Sequence, residues 1–149
     1  MTGALATEQP AKTRIALRKE KRGSDLAWRT AGKDAHDRLG EAIKCWSCYI
    51  GPDGTGSTRS EAVYHQMFAQ KVRKALGINQ KTPREQLSDV ELLALCAVET
   101  SLAALLLDGM ARNLTRAEIK TRYADTIAEM ATPHRKAIDL VRSRQRTAA

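Results

Sequence analysis

Cys45 and Cys48, separated by Trp46 and Ser47, are the residues best placed by type and spacing to do chemistry. Thiolates three residues apart can span one edge of a zinc tetrahedron. The same spacing supports thiol–disulfide exchange. A closed zinc site needs two further ligands, and Cys96, His36, His65 and His134 each stand alone. Exchange chemistry wants a strand feeding a helix, whereas this pair falls inside a predicted helix. The plainer reading makes Cys45 and Cys48 small residues buried near a helix end. They are thus weak metal candidates, and no cofactor is expected.

Glu61 and His65 lie one helical turn apart, the spacing of an acid–base couple or, more commonly, a surface hydrogen bond. His36 stands beside Asp37 without any wider pattern. No HExxH, GxSxG or Cys/His nucleophile signature is written in the chain, so the expectation is a protein that is not an enzyme. Residues 51–56, Gly-Pro-Asp-Gly-Thr-Gly, lack the lysine of a P-loop and the strand that precedes a dinucleotide fingerprint. They read as a turn or loop. Glu99 is more telling, because it sits midway along the most apolar stretch. An unpaired buried carboxylate costs several kcal/mol, so Glu99 requires a cation or a polar opening. Arg122 is one candidate partner.

The elements that must position these groups are helices. Of 149 residues, 42% are hydrophobic but only 4% aromatic, an aliphatic, Ala-rich bias that favours helices over β-sandwiches. The spacing predicts an all-α bundle of about five helices around a central apolar one. The first opens near Ser24 and runs to about Ile50, with Trp28, Ala31, Ala35, Leu39, Ala42, Ile43, Trp46 and Ile50 on one stripe. The second covers 59–76 and stops at Gly77. Thr82–Glu85 suggests a short helical turn. The third runs from Asp89 to Asp108 behind a Ser88–Glu91 capping box. It is apolar nearly all round and must be covered on every side, as a pillar or as half of an oligomer interface. The fourth spans 116–131 behind Thr115. Thr132-Pro133 restarts the chain as a fifth, with proline in its first position.

Charge divides the chain unevenly. The net charge is +8, from 25 Lys+Arg and 17 Asp+Glu. Residues 1–25 carry six basic and three acidic side chains, 133–149 carry five and one, and 26–132 carry fourteen and thirteen. Residues 1–23 read as a basic, flexible arm and 24–149 as a single helical domain. Cationic ends meet polyanions by counterion release, without reading sequence. The candidate phosphate contacts are Arg14, Arg18, Lys19, Lys21 and Arg22 in the arm, Lys71, Arg73 and Lys74 in the second helix, and Arg142, Arg144 and Arg146. Lys81 and Arg84 could join the middle group. The plainer reading is a set of solubilising charges. The third helix is no recognition helix, because it offers leucine and alanine where base edges need polar groups.

Residues 1–10 lack the apolar core of a signal peptide, and the run 92–107 is broken by Glu99, Thr100 and Ser101, short of a membrane span. Three cysteines without a secretory signal suggest a reducing cytoplasm.

Ser60-Glu-Ala-Val-Tyr64, Met67-Phe68, Arg84-Glu-Gln-Leu-Ser88, Glu91-Leu92 and Glu99 together resemble a segment of phage BRO-type antirepressors and DNA-damage-inducible protein D. The resemblance covers about 40 of 149 residues. It departs at Glu85, where the family usually has Asp, and at Gln70, where a Gly often follows the Phe. It implies phage or plasmid biology and DNA-linked regulation, and carries over no catalytic residue. The expected function is a non-enzymatic accessory protein, a nucleic-acid-associated regulator. The alternative is a protein-binding inhibitor or assembly factor acting on a host or phage complex. Expected partners are nucleic acid, and a protein or a second copy through the apolar helix 89–108, without a membrane.

Overall fold

Ser60 and Ser88 each stand in extended backbone and accept a hydrogen bond from the amide three residues on, and a helix starts after each. The computed structural model describes residues 30–148. Among these, four α-helices and one 3-10 turn make up the fold, with no strand. Helix α1 occupies 30–48, α2 Glu61–Leu76, α3 Asp89–Ala111 and α4 Arg116–Ala148; the 3-10 turn is Arg84–Gln86. The chain divides into two units at Lys33 and Asp34. The second unit holds α1 from Asp34 onward together with α2, α3 and α4. The predicted basic arm, the start of the first helix and Trp28 lie outside the described residues.

Among the described residues the bundle has four helices where about five were expected. Helix α4 runs through Pro133 without a break. Proline in a helix interior removes one amide and crowds the carbonyl four residues back. The run continues because Ile127, Ala131 and Ile138 are all buried on its inner side while Pro133 is exposed on the outer side. Carbonyls on a helix's outer side already tilt toward water, so the loss there is smallest. The first helix ends at Cys48 rather than Ile50, so Ile50 falls off the expected apolar stripe and is 65% exposed. Helix α3 also outruns its expected end at Gly109. There Gly109 is buried inside the helix, and a Cβ on it would lie 2.8 Å from Ile119 Cγ1. Gly109 is therefore a contact point between α3 and α4 rather than a stop. At 23 residues α3 is long and apolar enough to cross a membrane by length and composition, contrary to the shorter reading of 92–107.

The core joins Leu39, Ala42, Ile43 and Trp46 of α1 to Phe68, Val72 and Leu76 of α2. Val98, Leu102 and Leu106 of α3 and Ile119, Ile127 and Ile138 of α4 complete it. Fully burying each large apolar side chain contributes about 1.5–3 kcal/mol. Although aromatics are scarce, five of the six gather in one corner. Trp46 stacks on Tyr49 and meets Tyr64 and Tyr123 edge-on, and Phe68 meets Tyr123 edge-on at 5.0 Å.

Arg116 lies within this corner, only 2% exposed. Its guanidinium rests 3.7 Å from the centre of the Trp46 ring. It donates to the carbonyls of Trp46 and Tyr49 at 2.7 and 3.0 Å and to the Tyr64 hydroxyl at 3.0 Å. The two carbonyls lie where the α1 hydrogen-bond ladder runs out, so Arg116 caps that helix from the first turn of α4. Tyr49 Oη donates to the Leu114 carbonyl beside it. Gly51 is buried against the same joint: a Cβ there would sit 3.3 Å from the Arg116 amide nitrogen.

Candidate nucleic-acid interface and the Glu99 groove

The last turn of α2 carries Arg73 and Lys74, one turn beyond Lys71, and ends at Gly77 in the left-handed region at φ 72°. Arg73 turns back and donates to the Asn79 and Thr82 carbonyls, both at 2.8 Å, which closes the loop beyond the helix. The C-terminal half of α4 passes the same point. Arg142 donates to the Gly77 carbonyl at 3.0 Å and to Glu91 Oε2 at 2.9 Å. A Cβ on Gly77 would lie 3.6 Å from Arg135 Nε. Arg135, Asp139, Arg142 and Arg146 fall on one stripe of α4 by helical spacing. Two basic segments more than sixty residues apart thus share one end of the bundle, with Lys71, Lys74, Lys81, Arg135 and Arg146 exposed.

The predicted contacts differ in what they do within the fold. Arg73 and Arg142 serve as struts, with donors already committed to carbonyls and to Glu91. Lys71 is exposed but holds its Nζ 5.4 Å from the centre of the Tyr123 ring. Arg144 is exposed on the other side of α4 from Arg142. Arg14, Arg18, Lys19, Lys21 and Arg22 lie outside the described residues. Glu91 closes the Ser88 capping box, accepting from the Ser88 amide at 3.1 Å and its hydroxyl at 2.8 Å. Burial alone raises its carboxyl, but the Ser88 hydrogen bonds and the Arg142 guanidinium outweigh this and hold it below its ordinary value.

The second charged site is a groove of about 970 Å³ between α1 and α2. Glu99 lies on its floor, 5% exposed. Arg84 grips it with both ends of its fork, Nη2 to Oε1 at 2.8 Å and Nη1 to Oε2 at 3.1 Å. His36 Nδ1 lies 3.1 Å from Oε2, and its ring is 61% exposed. The expectation of a cation beside Glu99 is met, but by Arg84 and not by Arg122. Arg122 precedes buried Tyr123 and so points outward from α4. Across the groove, His65 and Glu61 make the expected surface pair at 3.2 Å. The described residues that line the groove include no serine, threonine or cysteine.

Cys45 and Cys48 are exposed, against the reading that they are buried. With Leu39, Ala42, Ile43 and Trp46 inward, helical geometry turns residues 45 and 48 to the outer face. Among the described residues no group of three or more His, Cys, Asp or Glu is placed to hold a metal ion. Cys96 is half-buried beside Arg84, and burial raises its thiol above the ordinary value.

Sequence reasoning missed Arg116, the His36–Glu99 contact and the meeting at Gly77. The one available signal for Arg84 was its place in the turn before α3, with Glu99 fifteen residues on. Against known proteins, no family model, no curated protein and no solved structure matches this chain.

Proposed function

We propose that the chain is a non-enzymatic accessory protein of phage or plasmid origin that associates with nucleic acid through phosphate contacts. The observation that carries this reading is the convergence of the α2 terminus and the α4 tail on Gly77, which gathers cations that the sequence scatters. Exposed lysines and arginines on one end of a bundle suit a phosphate backbone and read no base. Arg73 and Arg142 support the surface from below, while Lys74, Lys81, Arg135 and Arg146 make the contacts. The likeness of residues 60–99 to BRO-type antirepressors supports a setting in DNA-linked regulation.

Fluorescence anisotropy with a labelled random duplex tests it. Affinity should fall linearly on a log–log plot against salt, each phosphate contact adding about 0.9 to the slope on B-DNA. Lys74→Glu with Arg135→Glu should weaken binding for all sequences alike and flatten that slope. Deleting residues 1–22 should weaken it further. Binding that ignores salt, or no binding at low salt, refutes the reading.

A further inference from the structure

Helix α3 is not covered on every side, for Leu93 and Leu107 are 44% and 48% exposed. The longer uncovered stretch is the end of α4. Among its described residues Ile138 is the last that is buried, and from Asp139 to Thr147 every side chain is exposed or half-buried. Residues 139–148 carry the helix about 15 Å past that point. A segment of this length is marginal as a helix when it packs on nothing. It bears Arg142, Arg144 and Arg146 against one carboxylate, Asp139. Arg142 and Arg146, four residues apart, repel each other. A polyanion alongside relieves that repulsion and gives the stretch a partner that the bundle does not supply.

The order of side chains around the helix selects among polyanions. At 3.6 residues per turn, Arg144 and Arg146 stand about 160° apart. Leu140, Ser143 and Thr147 occupy the arc between them, on the side turned away from Ile138. All three are exposed, Leu140 by 53%. Two long cations thus flank a strip of shorter side chains. A helix lying lengthwise in the major groove meets the matching set of groups, with phosphates on both flanks and base edges beneath. The major groove of B-form DNA is about 12 Å wide, and a helix with its side chains is about 10–12 Å across. The same groove of an RNA duplex is deep and narrow, and a single strand has none. Thr147 Oγ1 donates to the Ser143 carbonyl at 2.9 Å and keeps its acceptor sites. Serine and threonine hydroxyls suit any base pair, so seating demands no fixed sequence.

We propose that residues 139–148 lie in the major groove of B-form DNA, with Arg144 and Arg146 on the phosphates of opposite strands and Ser143 and Thr147 over the base edges. The proposal rests on the nucleic-acid reading above and adds to it the form of the duplex and the groove.

Fluorescence anisotropy on the full chain, with one sequence as DNA duplex, RNA duplex and single-stranded DNA, tests it. The DNA duplex should bind about tenfold more tightly than either other form, the difference of two or more phosphate contacts. Methyl green, which occupies the major groove, should displace the chain, and netropsin, which fills the minor groove, should not. Removing residues 143–149 keeps Arg142 on Gly77 and Glu91 and takes away none of the buried core. The truncated chain should keep its thermal midpoint, lose about tenfold in affinity for the DNA duplex and no longer prefer it to RNA. Equal affinity for the two duplexes, unchanged DNA binding by the truncated chain, or displacement by netropsin and not by methyl green each overturns this proposal while the phosphate reading stands. Failure to bind any of the three forms at low salt overturns both.

Discussion

Arg116 is a buried cation held by neutral groups, and replacing it tests how the aromatic corner is assembled. In Arg116→Met three hydrogen bonds from a charged donor disappear, each worth about 1.5–3 kcal/mol. The contact with the Trp46 face adds about 2 kcal/mol when desolvated. Against this, the variant no longer strips water from a guanidinium, which costs several kcal/mol per ion. Methionine also refills part of the space. The expected net loss is about 3 kcal/mol, a large share of the 5–15 kcal/mol typical of a domain. Urea unfolding followed by helical circular dichroism should show a midpoint about 1–2 M lower with an unchanged slope. Arg116→Lys should be no better than methionine, because a point charge cannot span three acceptors or stack on indole. Tyr64→Phe should couple to either change, since the Tyr64 hydroxyl accepts from Arg116 and from Ser57. If Arg116→Met lay within about 0.5 kcal/mol of wild type, the capping argument would be wrong.

Arg84→Ala leaves buried Glu99 with His36 as its remaining side-chain partner and should cost about 2–4 kcal/mol. Adding Glu99→Gln should recover part of that loss in a chemical melt, and an additive double variant would deny the pairing. Gly109→Ala places a methyl 2.8 Å from Ile119 Cγ1 and should destabilise by about 1–2 kcal/mol despite alanine's better helix propensity. In an Ile119→Ala background the same change should cost less, and an equal cost would show that the contact is not the cause. Glu91 is held below its ordinary value when folded, so its contribution is complete above the unfolded value of about 4.3 and is lost as pH falls through the lower native one. Glu91→Gln should therefore flatten the acid limb of stability against pH, and an unaltered limb would contradict the assignment.

Local signals were the legible ones. The Ser88–Glu91 capping box, the Gly77 stop and the turn at Arg84 arise from a few neighbouring residues, and all three stand in the structure. Glu99 announced its need for a partner through its apolar surroundings but could not say which cation would arrive, because that depends on how the turn before α3 folds back. The fifth helix failed because Pro133 was read by its local rule while the packing of Ala131 and Ile138 on either side decided the outcome. The burial expected of Cys45 and Cys48 ignored helical phase, which Trp46 sets. Arg116 carried no signal at all: between Thr115 and Ala117 it looks like any first-turn residue, and only tertiary contacts with residues seventy positions back reveal it.

That separation has a kinetic meaning. Joining Arg116 to Trp46 closes a loop of about seventy residues, so the chain must first give up the freedom of everything between them. The hairpin of α3 and α4 needs only the short turn at residues 112–115 and can form early. Helix α1 is then the late arrival in folding and the first element to leave when stability is lowered. Amide protection in 34–48 should accordingly fall below that of α3 in partly destabilising urea, which makes the aromatic corner the seam along which this bundle opens.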